Sequence, residues 1–300
     1  MTQTSSQTAK GAAAPGAVHA LLTRLERAGV LDGPAERVAT LVRGAVPAGP
    51  VKDILSGTWL GHALHPLLTD VPIGTWTSAT MLDLVGGRSA QPAVEKLLAV
   101  GILAALPTAA SGMTDWADST VGDPASRRVG SVHAVANTTA LALYTGSLIA
   151  RRRGRTHRGI LLAMAGGGAL GLGGLLGGHL SYARGLGVDQ TVFETRPSDW
   201  TPAGRDAELA EGAAQVVELD GVEIMVTRQR GELFALAERC CHRGGPLHEG
   251  SFSDGCVTCP WHQSRFRLSD GAIVQGPATY PQPSYDVRTS EGTIEVRARS

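Results

Sequence analysis

Three uncharged stretches constrain this chain most. Leu97–Met113 is seventeen residues without a charged side chain, and Val129–Ala150 is twenty-two with only His133 able to carry charge near neutral pH. Gly159–Gly178 is twenty with nothing ionisable. A helix rises about 1.5 Å per residue, so roughly 20 apolar residues cross a hydrocarbon core. The first stretch meets that length only marginally, and a kink is expected at Pro107. A fourth, about Pro66–Val85, is interrupted by Asp70 and Asp83. The expectation is four transmembrane helices, with a soluble Gly/Ala-rich bundle as the competing reading. Charged residues are 18% and glycines 39 of 300, a bias that suits packed membrane helices. The last stretch carries Gly167-x3-Gly171, Gly173-x3-Gly177 and Gly174-x3-Gly178, spacings that let helices approach closely in lipid.

The flanks differ in kind. Residues 1–16 are rich in Ser, Thr, Gln and Ala and read as a disordered tail, with no signal-peptide pattern. Residues 17–57 hold two short amphipathic patterns, one through Val18, Leu21, Leu22 and Leu25, the other through Val38, Leu41, Val42 and Val46. They are expected to lie on a bilayer or on the next domain. Residues 58–188 form the four-helix membrane domain, and the Pro-interrupted residues 189–205 read as a linker. Residues 206–300 are strand-like, with β-rich runs at Gln215–Leu219, Val222–Arg228, Leu233–Ala237, Tyr285–Arg288 and Thr293–Arg297. Turn signals at Asp220-Gly221, Arg230-Gly231 and Glu291-Gly292 mark hairpins. The fold class is therefore α+β in two parts: an N-terminal four-helix transmembrane bundle and a C-terminal all-β domain.

Within the β part, Cys240-x-His242 is followed after sixteen residues by Cys259-x-x-His262. Two thiolates and two imidazoles arrive as matched pairs on two loops. That set fits a cluster with two inequivalent irons, Cys240 and Cys259 on one, His242 and His262 on the other. A Cys2His2 zinc site is the rival, although its usual pattern places both cysteines before both histidines.

With Gly244-Gly245-Pro246-Leu247 after the first pair and Cys259-Pro260-Trp261-His262 forming the second, residues 206–300 resemble the Rieske iron–sulfur family. The resemblance implies a [2Fe–2S] cluster. High-potential members carry a disulfide between the loops, at positions held here by Gly245 and Trp261, so the domain looks like the ferredoxin-like branch. Cys241 and Cys256 read as two free thiols. Ser264 matches a serine whose hydroxyl bonds the cluster, Phe266 stands where a tyrosine donor would be, and Gln263 replaces the usual glycine. The implied potential is in the lower part of the Rieske range of roughly −150 to +300 mV. An oxygenase would need a further domain holding a mononuclear iron, yet only 38 residues follow His262 and none is His.

Leu60–Gly74 and Gly177–Tyr182 resemble an uncharacterised bacterial four-helix membrane family over about residues 58–188. Four crossings would place His62, His65, His133 and His179 at one level, on the side of the cluster domain, with Asp70, Asp115 and Asn137 nearby. Ionisable groups in a membrane segment are functional candidates. A haem, a quinone, a divalent metal and plain helix-end histidines all stay open. The arginine-rich loop Arg151–Arg158 favours its own side as cytoplasmic, whereas the missing disulfide suits a reducing compartment for the cluster, so the orientation stays open.

Net charge is zero, which gives no pull toward nucleic acid. The sequence reads as a multi-pass cell-membrane protein carrying single electrons between a membrane donor, quinol or haem, and a protein acceptor. A redox sensor and a ferredoxin component feeding a separate oxygenase are the alternatives. The oligomeric state is not specified.

Overall fold

The structure is a computed structural model and describes residues 16–119 and 121–299. Of the expected tail, residues 1–16, all but Gly16, which precedes the first helix, lie outside the described residues. Among these residues seven α-helices precede ten β-strands.

Four helices are long: α4 (Leu64–Val85), α5 (Gln91–Ser119), α6 (Pro124–Arg152) and α7 (Thr156–Gly178). They share one core, in which Trp76 of α4 stacks on Tyr144 of α6 beside Val94 and Leu98 of α5 and Ala163 of α7. Helix α5 runs unbroken through Pro107. Asp123 caps α6 by accepting the Ser126 amide, and Pro124 occupies its first turn. Of the glycine spacings in α7, Gly173 and Gly177 face α6. A Cβ on Gly173 would lie 2.5 Å from Asn137 Oδ1, and one on Gly177 would lie 3.0 Å from His133.

Four crossings are the expectation from sequence; two segments qualify by length and hydropathy, Arg88–Asp118 and Thr156–Ala183. Helix α6 carries Arg127, Arg128, Arg151 and Arg152, and α4 carries Asp70 and Asp83. Arg127, Arg128, Arg151 and Asp83 are ion-paired within the protein, while Asp70 and Arg152 are exposed. Arg151 and Asp83 pair at 2.5 Å with side chains 1% and 0% exposed.

The N-terminal flank forms three helices where two patterns are expected: α1 (Ala17–Glu26), α2 (Asp32–Ala45) and α3 (Pro50–Ser56). They dock on the long helices. Leu22 packs with Val129, Leu176 and Leu180. Arg128 bridges to Asp32 at 2.6 Å and Arg127 to Glu36 at 2.8 Å.

The C-terminal part holds two antiparallel sheets. The larger runs in the order β1 (Thr201–Arg205), β10 (Thr293–Ala298), β9 (Ser284–Ser290), β4 (Glu232–Ala237), β3 (Val222–Gln229), β2 (Ala214–Leu219). The smaller runs β5 (Ser251–Ser253), β6 (Cys256–Thr258), β7 (Arg265–Arg267), β8 (Ile273–Gln275). Strand β1 occupies the end of the expected linker and pairs with β10. Side chains alternate across β3. Ile224 and Val226 enter one core with Tyr285, Ile294 and Val296. Met225 enters a second with Leu247, Val257, Phe266 and both loop cysteines. That second core is the floor beneath the Cys–His loops.

Candidate metal centre

The first loop leaves β4 and closes on itself: Cys240 N–H donates to Gly245 O at 3.0 Å, and Gly244 N–H to Cys240 O at 2.7 Å. The second joins β6 to β7, with Cys259 N–H on Ser264 O at 2.8 Å and Gln263 N–H on Cys259 O at 3.1 Å. Gln263 has φ +65°, a left-handed conformation that favours glycine and that explains the residue usual at this position. The loop tips touch. A Cβ on Gly245 would lie 2.9 Å from Cys259 Sγ, so only glycine admits this approach.

All four sequence-expected donors meet here. Cys240 and Cys259 are 1% exposed and His262 is 4%. The His242 and His262 rings lie 5.0 Å apart, edge to face. His242 Nδ1 is buried and has no hydrogen-bond partner. An orphaned ring nitrogen costs free energy unless something else binds it. The four donors do not close on one point: among the described residues no three His, Cys, Asp or Glu side chains are placed to hold one ion.

Burial and the cysteine pair set the protonation of the four donors. The Cys240 thiol is pushed far up by its hydrogen bond to Cys241, with burial adding to it. Cys259 is pushed up by its bond to Cys240 and by burial. Such thiols become thiolates only against a bound cation. Burial pulls His242 well below the ordinary imidazole value and His262 down to about 4, so both are neutral and able to ligate. The residues therefore fit the [2Fe–2S] cluster that the resemblance implies.

Ser264 is fully buried, and its Oγ accepts the Ala278 amide at 3.0 Å, which leaves its own proton to donate. Phe266 is fully buried on β7. Cys241 and Cys256 are free thiols. Cys241 Sγ donates to Tyr280 O and Cys256 Sγ to Asp254 O.

The four histidines expected at one level do not form one group. His65 and His133 come together, ring centroids 6.3 Å apart. Each Nδ1 bonds a main-chain oxygen on a neighbouring helix, Thr108 for His65 and Gly173 for His133. His62 is exposed and bonds Ala63 O. His179 pairs with Glu26 of α1 at 2.9 Å. A single level along the helix axes says nothing about helix face, which separates His179 from His65 and His133, and His62 lies in the bend before α4. Asp70 is exposed, and Asn137 sits over the His133 ring.

Sequence reasoning missed a contact across the two halves. His262 Nε2 donates to the main-chain oxygen of Asp118 at 2.6 Å. No local pattern signals it, because 144 positions separate the residues.

Comparison with known proteins finds two family matches: the Rieske [2Fe-2S] domain over residues 199–286 and a predicted membrane protein family (DUF2231) over residues 61–190. The chain is 35% identical over 105 residues to the anthranilate 1,2-dioxygenase ferredoxin subunit of Burkholderia cepacia, covering 35% of this chain and 97% of that protein. It is 36% identical over 90 residues to the 3-phenylpropionate/cinnamic acid dioxygenase ferredoxin subunit of Photorhabdus laumondii, covering 30% and 85% respectively. Among solved structures, the ferredoxin of carbazole 1,9a-dioxygenase from Nocardioides aromaticivorans is 28% identical with a TM-score of 0.32, covering 34% of this chain and 100% of that one.

Proposed function

The chain belongs to the Rieske [2Fe–2S] family, its cluster-type domain joined in one polypeptide to a DUF2231 helical domain, and from that premise we propose that it is a membrane-held carrier of single electrons. What carries the reading is the convergence of two buried thiols and two neutral imidazoles, one with an orphaned Nδ1. When bound, the cluster supplies a one-electron redox couple. Cys240 and Cys259 would hold one iron, and His242 and His262 the other. Ser264, whose Oγ accepts the Ala278 amide, would have its proton free to donate toward the cluster and favour its reduced form. The domain boundaries we assign are 58–188 for the helical domain and 206–300 for the cluster domain, with the edge strand β1 recruited from the linker.

Membrane residence is supported by the two qualifying segments and by apolar side chains left on the outside of the long helices. Leu103 is 67% exposed, Leu161 68% and Leu84 61%. We assign all four long helices to the membrane. Extraction of membranes at alkaline pH tests this: release of the protein into the supernatant would refute it.

The acceptor is a separate protein. The Burkholderia cepacia relative is by name the ferredoxin subunit of a dioxygenase, which supports an oxygenase as one such acceptor. The donor chemistry we assign to the helical side is a quinol or a haem. The support is the His65–His133 pair: each Nδ1 is tied to a carbonyl, His133 Nε2 lies 3.2 Å from Asn137 Nδ2, and His65 Nε2 is the nitrogen presented. A Soret band with sharp α and β bands after reduction selects haem, and broad iron–sulfur absorption alone excludes it.

The central test is electron resonance of the reduced, purified chain. A rhombic signal is expected, absent from His242→Ala and from His262→Ala. Persistence of the signal in either variant overturns the ligand assignment.

A further inference from the structure

His262 is the proposed ligand whose outer nitrogen is already engaged. An imidazole that reaches iron through Nδ1 turns Nε2 away from the metal, and Nε2 is then the polar atom a partner meets. Here that atom meets the chain's own helical half, at the main-chain oxygen of Asp118 in the last turn of α5.

The contact belongs to a seat built from three segments. The first is α3 and the turn after it. Asp53 Oδ1 accepts the Gly276 amide at 2.9 Å, and Thr58 Oγ1 donates to Ala278 O at 3.0 Å. The second is the connection from α5 to α6. Asp118 holds His262, Gly122 lies against the Trp261 indole, and Asp123 meets Arg243 at 3.3 Å. The third follows α7. Arg243 Nη1 donates to Gly185 O at 3.2 Å, and the Gln190 amide donates to Cys241 O at 2.9 Å. Both cluster loops are gripped, and the grip falls on the histidine edge. The Asp118 peptide is itself anchored, because Lys52 Nζ lies 2.7 Å from Asp118 Oδ1 with both side chains buried.

Resting on the cluster assignment above, we propose that the helical domain is a built-in docking partner for the cluster loops. It closes the His262 edge to soluble proteins, and the Asp118 carbonyl acts as a positioning group that sets the donor strength of this ligand. A carbonyl that accepts the Nε2–H proton leaves more electron density on the ring. The richer ring stabilises the oxidised irons and lowers the potential. A soluble acceptor then meets a different face of the β domain, or it meets His262 only after the seat opens.

The experiment uses the full chain in detergent and the triple variant Asp53→Ala/Thr58→Val/Asp123→Ala, which removes three grips and no proposed ligand. Three quantities are read: the rhombic resonance, hydrogen exchange at the Gly276 and Gln190 amides, and the midpoint potential. In the parent both amides are protected. In the variant the resonance is kept, both amides exchange at least tenfold faster, and the Ile224 amide in the sheet core does not change. The potential rises by a factor of ten in the one-electron equilibrium, about 59 mV. The conservative set Asp53→Asn/Thr58→Ser/Asp123→Asn keeps the acceptors and the hydroxyl and restores parental values. If the triple variant fails to assemble, Gly122→Leu, a wedge beneath Trp261, is read in its place with the same expectation.

Unprotected Gly276 and Gln190 amides in a parent that shows the resonance overturn the docking alone. Faster exchange with an unmoved potential overturns the role of the Asp118 carbonyl. A parent without the rhombic signal overturns the cluster assignment and this inference with it.

Discussion

Lys52 and Asp118 form an ion pair at 2.7 Å, with side chains 7% and 2% exposed, at the peptide that holds His262. The pair is incompletely satisfied, since Asp118 Oδ2 has no hydrogen-bond partner. A buried pair of this kind contributes little net stability while intact, yet removing one member strands a charge. Lys52→Met is therefore expected to destabilise the chain by about 3–5 kcal/mol. Lys52→Met/Asp118→Leu recovers most of that loss, because no charge is left stranded. Denaturant unfolding in detergent, followed by cluster bleaching, measures both. A double variant no more stable than the single one refutes the account.

Gln263 holds φ +65° in the second loop. A side chain in this region costs roughly 1–2 kcal/mol relative to right-handed backbone, and glycine escapes that cost. Gln263 is exposed, so little packing is at stake. Gln263→Gly should stabilise the loop by a net ~1 kcal/mol after glycine's entropic disadvantage. The observable is slower loss of the cluster on heating. Faster loss would mean that the glutamine side chain makes a contribution larger than its backbone strain.

The meeting of Cys240, His242, Cys259 and His262 was legible because the four stand as two short-spaced pairs, each on one loop. The long helices were legible as uncharged runs, though buried pairs such as Arg151–Asp83 let charges sit inside them. Strand β1 was not legible. Its Thr-Pro-Ala-Gly-Arg has no alternation, and it becomes a strand by pairing with β10. The smaller sheet was missed because three-residue strands are too short for a period of two to register. The histidine grouping failed for a geometric reason. Counting crossings fixes depth, while the direction of a side chain around its helix sends His179 to Glu26 and His65 to His133.

Asp123 sits at the domain contact, 3.3 Å from Arg243, while its pKa is set by groups of the helical half. Burial raises its pKa, but the Ser126 hydroxyl and amide and the Arg184 guanidinium outweigh burial, and the net value falls below the ordinary 3.8. A carboxylate depressed in the folded state contributes stability that is whole above its unfolded pKa and is lost as pH falls through the folded one. The stabilisation by Asp123 is thus complete above about pH 4 and disappears at lower pH. Between pH 6 and pH 3 the melting temperature of the parent should fall more than that of Asp123→Asn, which lacks the titrating group. Parallel curves for the two proteins would remove Asp123 from the account.

Phe266 offers a way to reset the potential from beneath the loops. It is fully buried on β7, paired across to Val257 of β6 and Ile273 of β8, two residues beyond Ser264. The family resemblance places a tyrosine hydroxyl donor at this position in high-potential members. Hydrogen bonds toward the cluster sulfurs withdraw electron density and favour the reduced state. Phe266→Tyr adds one hydroxyl to a ring whose position is already fixed by packing. The midpoint potential should rise, by an amount on the order of a tenfold change in the one-electron equilibrium or about 59 mV. Ser264→Ala should move it the other way, since it deletes the hydroxyl whose proton is free to donate. The two shifts should add in the double variant if each hydroxyl acts on its own. Redox titration followed by the rhombic signal measures all three, and a Phe266→Tyr potential equal to the parent's would mean that the new hydroxyl does not reach the cluster.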